Sequence, residues 1–209
     1  PRMLTLTLVA VLSCAWIGDS HGKEYVPREL REIGVAERLG DSVDQDLHFV
    51  DQDGEQVTLR DYLDDGIPVL LTLNYYRCKM LCNLQLNALV PGIKGNGLKP
   101  NDDYRIVTVS IDPREGPAVA SAKRQTYLKA LGMGADVDWS FLTGTKDQID
   151  KLADAVGFKY SYDQQTDQYA HSAAVYFLSP TGKITRYLYG LSYLARDVRF
   201  ALLDAAEGT

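Results

Sequence analysis

Between residues 68 and 76 apolar and aromatic positions run without a charge, the pattern of a strand buried on both faces, and Cys78 and Cys82 stand where that strand should end. Leu81, Leu84, Leu86, Ala88 and Leu89 follow at roughly helical spacing and run up to Pro91-Gly92, which predicts a helix opened by the cysteines and stopped there. A second buried strand is predicted over 104–111, closed by Asp112-Pro113, then a helix over 118–131 whose start carries Glu115 and Pro117. A short strand over 139–143 leads to Thr145, which can cap a helix over 146–156 that ends at Gly157. From 158 the pattern changes to strands: 158–162, a polar loop, then 172–178 paired with 183–189 through Ser179-Pro180-Thr181-Gly182, and a final helix over 193–207. Upstream, 47–51 and 56–59 read as a hairpin turned at Asp53-Gly54, with a helical turn over 60–63.

Strand, helix, strand, helix, strand, helix, then an antiparallel hairpin and a helix is the order of a thioredoxin-like α/β sandwich with an N-terminal β-hairpin extension. Residues 43–209 are expected to form that unit, with no internal repeat. Residues 23–42 are charged, carry Pro27, Gly34 and Gly40 and lack an apolar stripe, so they read as a tether or wrapping arm. Residues 1–22 read as a signal peptide or leader: one positive charge, a short apolar run, then Gly18-Asp19-Ser20. Pro1 is not a natural start, so the N-terminus is read as trimmed or mis-called. Cys14, after Val11-Leu12-Ser13, resembles a bacterial lipid-attachment box imperfectly; the alternative is a cysteine discarded with the leader. The expected location is exported, periplasmic or on the outer face of the cytoplasmic membrane, with attachment through the N-terminus.

The 209 residues are 45% hydrophobic and 24% charged, the composition of an ordinary globular protein. A net charge of -6 argues against a nucleic-acid binder, which carries a basic face. The loop over 94–103 has the glycines of a phosphate cradle only in composition, since no strand feeds it and it opens no helix.

With Cys14 set aside two cysteines are left, spaced i and i+4 at the opening of a helix, so both can lie on one face. The positive helix end and the neighbouring Arg77 and Lys79 favour thiolate over thiol. Such a pair can grip a soft cation such as Cu(I), close a disulfide, or be two half-buried structural cysteines. Two sulfurs alone would hold Cu(I) in a linear, easily exchanged site. Of the three histidines, His21 lies at the leader boundary and His48 in the first hairpin. His171, before the late hairpin, is the one that this fold would bring beside the cysteines, completing an S,S,N set. Met80 offers a thioether, but beside Leu81 it is expected to pack.

The chain resembles the Sco/SenC proteins. The resemblance rests on the strand into Cys78-Lys79-Met80-Leu81-Cys82, on Val107-Thr108-Val109-Ser110-Ile111-Asp112-Pro113, on Leu142-Thr143-Gly144-Thr145-Lys146-Asp147-Gln148-Ile149, and on His171-Ser172 followed by 175–182. It implies a thioredoxin-like copper protein serving assembly of the dinuclear copper centre of respiratory cytochrome oxidase. Copper, as Cu(I) and in a second state as Cu(II), would be held by Cys78, Cys82 and His171. The partner would be the oxidase copper-centre subunit or another periplasmic copper protein. The resemblance also implies a thiol-disulfide reductase role for the Cys78/Cys82 redox pair; Cys78, nearest the helix N-terminus, is expected to be the attacking thiolate. A peroxidase of the peroxiredoxin kind fits less well, because a close cysteine pair suits chelation or exchange. The chain departs from many members at Lys79, where they have Pro, and at Ala170, where they have Asp; Asp167 is the residue able to stand in from the loop. The C-terminal stretch 197–209 resembles a subgroup whose chains continue further.

Overall fold

In a computed structural model, residues 33–78, 80–133 and 137–209 are described. The leader, Cys14, His21, the first part of the expected arm and Lys79 lie outside the described residues.

The chain folds around β4 (Val69–Asn74), whose six residues are all buried. It pairs in parallel with β5 (Arg105–Ser110) and antiparallel with β9 (Ala174–Leu178), and the sheet is completed by β6 (Ser140–Leu142) and β10 (Ile184–Tyr189) in the order β10-β9-β4-β5-β6. Because side chains alternate across a strand, β4 feeds two cores. Leu70 joins the layer of α1 (Leu81–Gly95), α2 (Pro117–Leu131) and α4 (Ala195–Glu207), with Trp139 and Phe141 at its centre. Leu71 and Leu73 face the opposite layer, built from α3 (Lys146–Ala155), Phe49 and Phe158, and this second core also contains Cys78 and Cys82. This is the expected thioredoxin-like α/β sandwich, and the hairpin of β2 (His48–Val50) and β3 (Gln56–Thr58) is present upstream of it.

The structure departs from the sequence reading in two elements. Helix α1 does not stop at Pro91-Gly92 but continues to Gly95. Pro91 forfeits one hydrogen bond on an exposed face, while Val90 and Ile93 keep that last turn in the core. Gly92 is where α4 crosses: a Cβ there would lie 2.9 Å from the Tyr193 carbonyl oxygen.

The expected polar loop before His171 contains a strand, β8 (Gln168–His171), paired with β7 (Phe158–Asp163). Tyr160, Tyr162 and Tyr169 pack ring to ring across that hairpin, so aromatic contacts supply what the polar sequence hides. The described part of the arm lies against the domain. β1 (Gly34–Val35) pairs with β7, and Gly40 and Asp41 exchange backbone hydrogen bonds with Ile184 of β10.

Candidate metal and redox centre

The C-terminal end of β4 delivers the chain into a turn, with Cys78 just outside α1 and Cys82 inside its first turn. Cys82 N–H, one of the unpaired amides of the helix start, donates to Cys78 Sγ at 3.3 Å. His171 arrives from the opposite side, at the end of β8, and its Nε2 lies 3.1 Å from Cys82 Sγ. Its other nitrogen, Nδ1, is 2.9 Å from the carbonyl of Ser172. A carbonyl only accepts, so Nδ1 carries the hydrogen and, in the neutral ring, Nε2 turns its lone pair to the sulfur. All three side chains are buried, and the two sulfurs are not joined to each other.

The two cysteines differ in electrostatics. Cys78 is lowered to about 3, first by the hydrogen bond from the Cys82 side chain, against burial, and further by His171 and the backbone N–H groups of Cys82 and Met80. Cys82 is pushed far up, first by burial and then by its hydrogen bond to Cys78. The reduced pair is therefore one thiolate, at Cys78, and one thiol, at Cys82.

Aromatic rings wall the histidine. Tyr75 meets His171 edge-on at 6.0 Å and Phe158 tilts against it at 5.8 Å, while Tyr75 also packs on Tyr169 at 5.3 Å. Burial, and then its hydrogen bond to the Cys78 sulfur, keep the Tyr75 phenol protonated well above its usual range. Glu115 fixes the turn. Its carboxylate accepts from Tyr76 N–H at 2.7 Å, Arg77 N–H at 2.6 Å and the Ser110 hydroxyl at 2.6 Å. The sequence marked Glu115 only as the start of a helix; a buried acid beside Pro113 and Pro117 gives no local sign of what it grips.

Two expectations change here. Met80 does not pack: it is 70% exposed at the start of α1. Asp167 does not reach His171, because Arg114 Nη1 donates to it at 2.7 Å and the Tyr162 hydroxyl at 2.6 Å. Ala170 is exposed beside the site. His21 is not described, and His48 lies on β2, its backbone N–H taken by Gln148. Tyr75, Phe158 and Glu115 were not singled out from sequence as parts of the site, since each meets it through tertiary contact.

Two sulfurs and one imidazole nitrogen are a donor set suited to a soft or borderline cation. Among the described residues no group of three His, Cys, Asp or Glu side chains, these included, is already spaced to hold a metal ion. The Cys82–His171 contact has the length of a hydrogen bond, so a cation entering there would take the place of the Cys82 thiol proton. No helix among the described residues is long and apolar enough to cross a membrane.

No curated protein matches the chain. Among solved structures, a candidate electron transfer protein from Aquifex aeolicus VF5 is 27% identical, with a TM-score of 0.71, covering 80% of this chain and 94% of that one. A SCO1/SenC family lipoprotein from Bacillus anthracis str. Ames is 19% identical with a TM-score of 0.66, covering 83% and 99%. Arabidopsis thaliana ScoI, with copper bound, is 18% identical with a TM-score of 0.63, covering 82% and 100%. The family model described as SCO1/SenC matches residues 35–198, a span that takes in the whole five-stranded sheet and both cysteines and His171, so the chain belongs to the SCO1/SenC family.

Proposed function

We propose that the protein is a copper metallochaperone that serves assembly of the dinuclear copper centre of cytochrome oxidase. Cys78, Cys82 and His171 hold the ion as cargo and release it to an acceptor by ligand exchange. The observation that carries this reading is the 3.1 Å approach of His171 Nε2 to Cys82 Sγ across 89 residues of sequence. A histidine placed only for packing has no need to aim its lone pair at a buried sulfur. The copper bound by Arabidopsis thaliana ScoI supports the choice of metal. Uptake removes the Cys82 proton, so affinity rises with pH. The leader-like N-terminus and the lipoprotein relative support a location outside the cytoplasmic membrane, with the oxidase copper subunit or another periplasmic copper protein as acceptor.

A second reading rests on the asymmetry of the two cysteines. The Cys78 thiolate attacks one sulfur of a partner's disulfide and expels the other as a thiolate. Cys82, once deprotonated, attacks Cys78 and releases the partner's second thiolate. Two electrons pass to the partner and the pair ends as a Cys78–Cys82 disulfide.

Titration of the reduced protein with Cu(I) against a competing chelator, beside His171→Ala, decides between them. One tightly held ion per chain, weakened at least about 100-fold in the variant, is expected for the chaperone. Weak binding indifferent to His171 would sink that reading and leave thiol-disulfide exchange.

A further inference from the structure

The sheet stops short of the centre. On the side facing β9 the ladder of β4 ends at the pair Thr72–Val175, and the Asn74 carbonyl turns to the other side, where it accepts from Ile111 N–H at 2.7 Å. Beyond that pair the cysteine and histidine segments part, and two buried amides span the gap. Gln85, three residues after Cys82 on α1, donates from Nε2 to the Ala174 carbonyl at 2.8 Å, and its Oε1 accepts from Asn74 Nδ2 at 3.0 Å. Asn74 is the last residue of β4, and Ala174 opens β9 three residues after His171. Both amide side chains are fully buried. The Ala174 carbonyl only accepts, so it fixes which end of the Gln85 amide faces it, and Gln85 in turn fixes the Asn74 amide. That arrangement leaves Asn74 Oδ1 buried and, among the described residues, without a hydrogen-bond partner. An orphaned acceptor is a cost that an apolar pair would avoid, so filling space does not account for these two side chains.

We propose that Gln85, oriented by Asn74, is a positioning residue that sets the separation of His171 from the cysteine pair. The inference rests on the metallochaperone reading for its ion and stands apart from it in the metal-free protein. Cys78 and Cys82 share one local segment and keep their spacing without help. His171 comes from a distant part of the chain, so its approach is only as tight as the tie between the two segments. Two contacts run side by side there, Cys82 with His171 and Gln85 with Ala174, each joining residues 89 positions apart. Gln85 moves with Cys82 in one turn of α1, and Ala174 moves with His171 along a short stretch of backbone. Holding the second contact therefore holds the first. Without the tie His171 stands off, and an ion is left with the two sulfurs.

The test uses the full reduced chain with Gln85→Met, which keeps the length of the side chain and removes both hydrogen bonds, alone and combined with His171→Ala. Asn74→Ala, which leaves Gln85 unoriented, carries the same comparison if melting of the metal-free protein shows that Gln85→Met does not fold. Each chain is titrated with Cu(I) against a competing chelator. Where His171 is present, Gln85→Met is expected to weaken Cu(I) about tenfold. In the His171→Ala chain the same substitution should change the affinity by less than about twofold, because a residue acting through His171 has nothing left to position. In the metal-free protein the NMR resonance of His171 Nε2, assigned against His171→Ala, should move in Gln85→Met towards that of a ring nitrogen without a hydrogen bond. Unchanged affinity with His171 present, equal losses with and without His171, or an unmoved ring resonance would each overturn the proposal. A parent chain that binds no copper would instead overturn the metallochaperone reading, and the ring resonance would still decide the role of Gln85.

Discussion

Glu115 shows how much of the site depends on single side chains that carry no chemistry of their own. Two backbone amides at the mouth of the cysteine turn, and one hydroxyl on β5, all donate to its carboxylate from within a buried setting. Glu115→Gln keeps the shape but turns an amide nitrogen toward one of those donors, leaving it unsatisfied. The expected loss is about 1–3 kcal/mol, read as a lower midpoint of urea unfolding. A midpoint equal to the parent's would mean that the carboxylate does not hold the turn. At the same scale the pairing of Cys78 and Cys82 was legible, because four residues separate them in one local segment where the strand gives way to α1. Their division into thiolate and thiol was not, since it depends on burial and on which group donates to which.

Among the elements, strands and helices with long apolar runs were read from sequence to within a few residues, because burial periodicity is local. The misses share a cause in tertiary packing. Pro91 failed to stop α1 because the helix beyond it is held by the core, and β8 was hidden because its stabilising rings sit on the neighbouring strand. The edge where the arm meets the domain shows the same dependence. Gly157 has φ +67, and a Cβ there would fall 1.8 Å from the Ala36 carbonyl oxygen. Gly157→Ala is therefore expected to detach β1 from β7. Hydrogen exchange at Ala36 N–H, now bonded to the Gly157 carbonyl at 2.8 Å, should quicken while the β4 amides keep their protection. Unchanged exchange at Ala36 would show that the arm tolerates the methyl group.

For the molecule as a whole, the centre ties together three parts of the fold that sequence separates: the end of β4, the start of α1 and the end of β8. An ion bridging them binds the folded chain far better than the unfolded one, so it should stabilise the whole domain. At Cu(I) free concentrations about 1,000 times the dissociation constant the gain is about 4 kcal/mol, or a rise in melting temperature of about 10 °C. His171→Ala should lose most of that rise at the same copper concentration. A full rise in the variant would place His171 outside the copper site.

The sequence by itself determined the order of the elements, the two-sided burial of β4 and the cysteine pair where that strand gives way to a helix. These follow from hydrophobic periodicity and local chain geometry, which act within a few residues. Only the tertiary structure decided that His171 meets Cys82 from the end of a strand read as loop, that Glu115 clamps the turn, and that Gln85 takes hold of the Ala174 carbonyl. Those contacts join residues 89, 38 and 89 positions apart, and such distances are closed by the stacking of sheet and helices around two cores, not by any local preference of the chain.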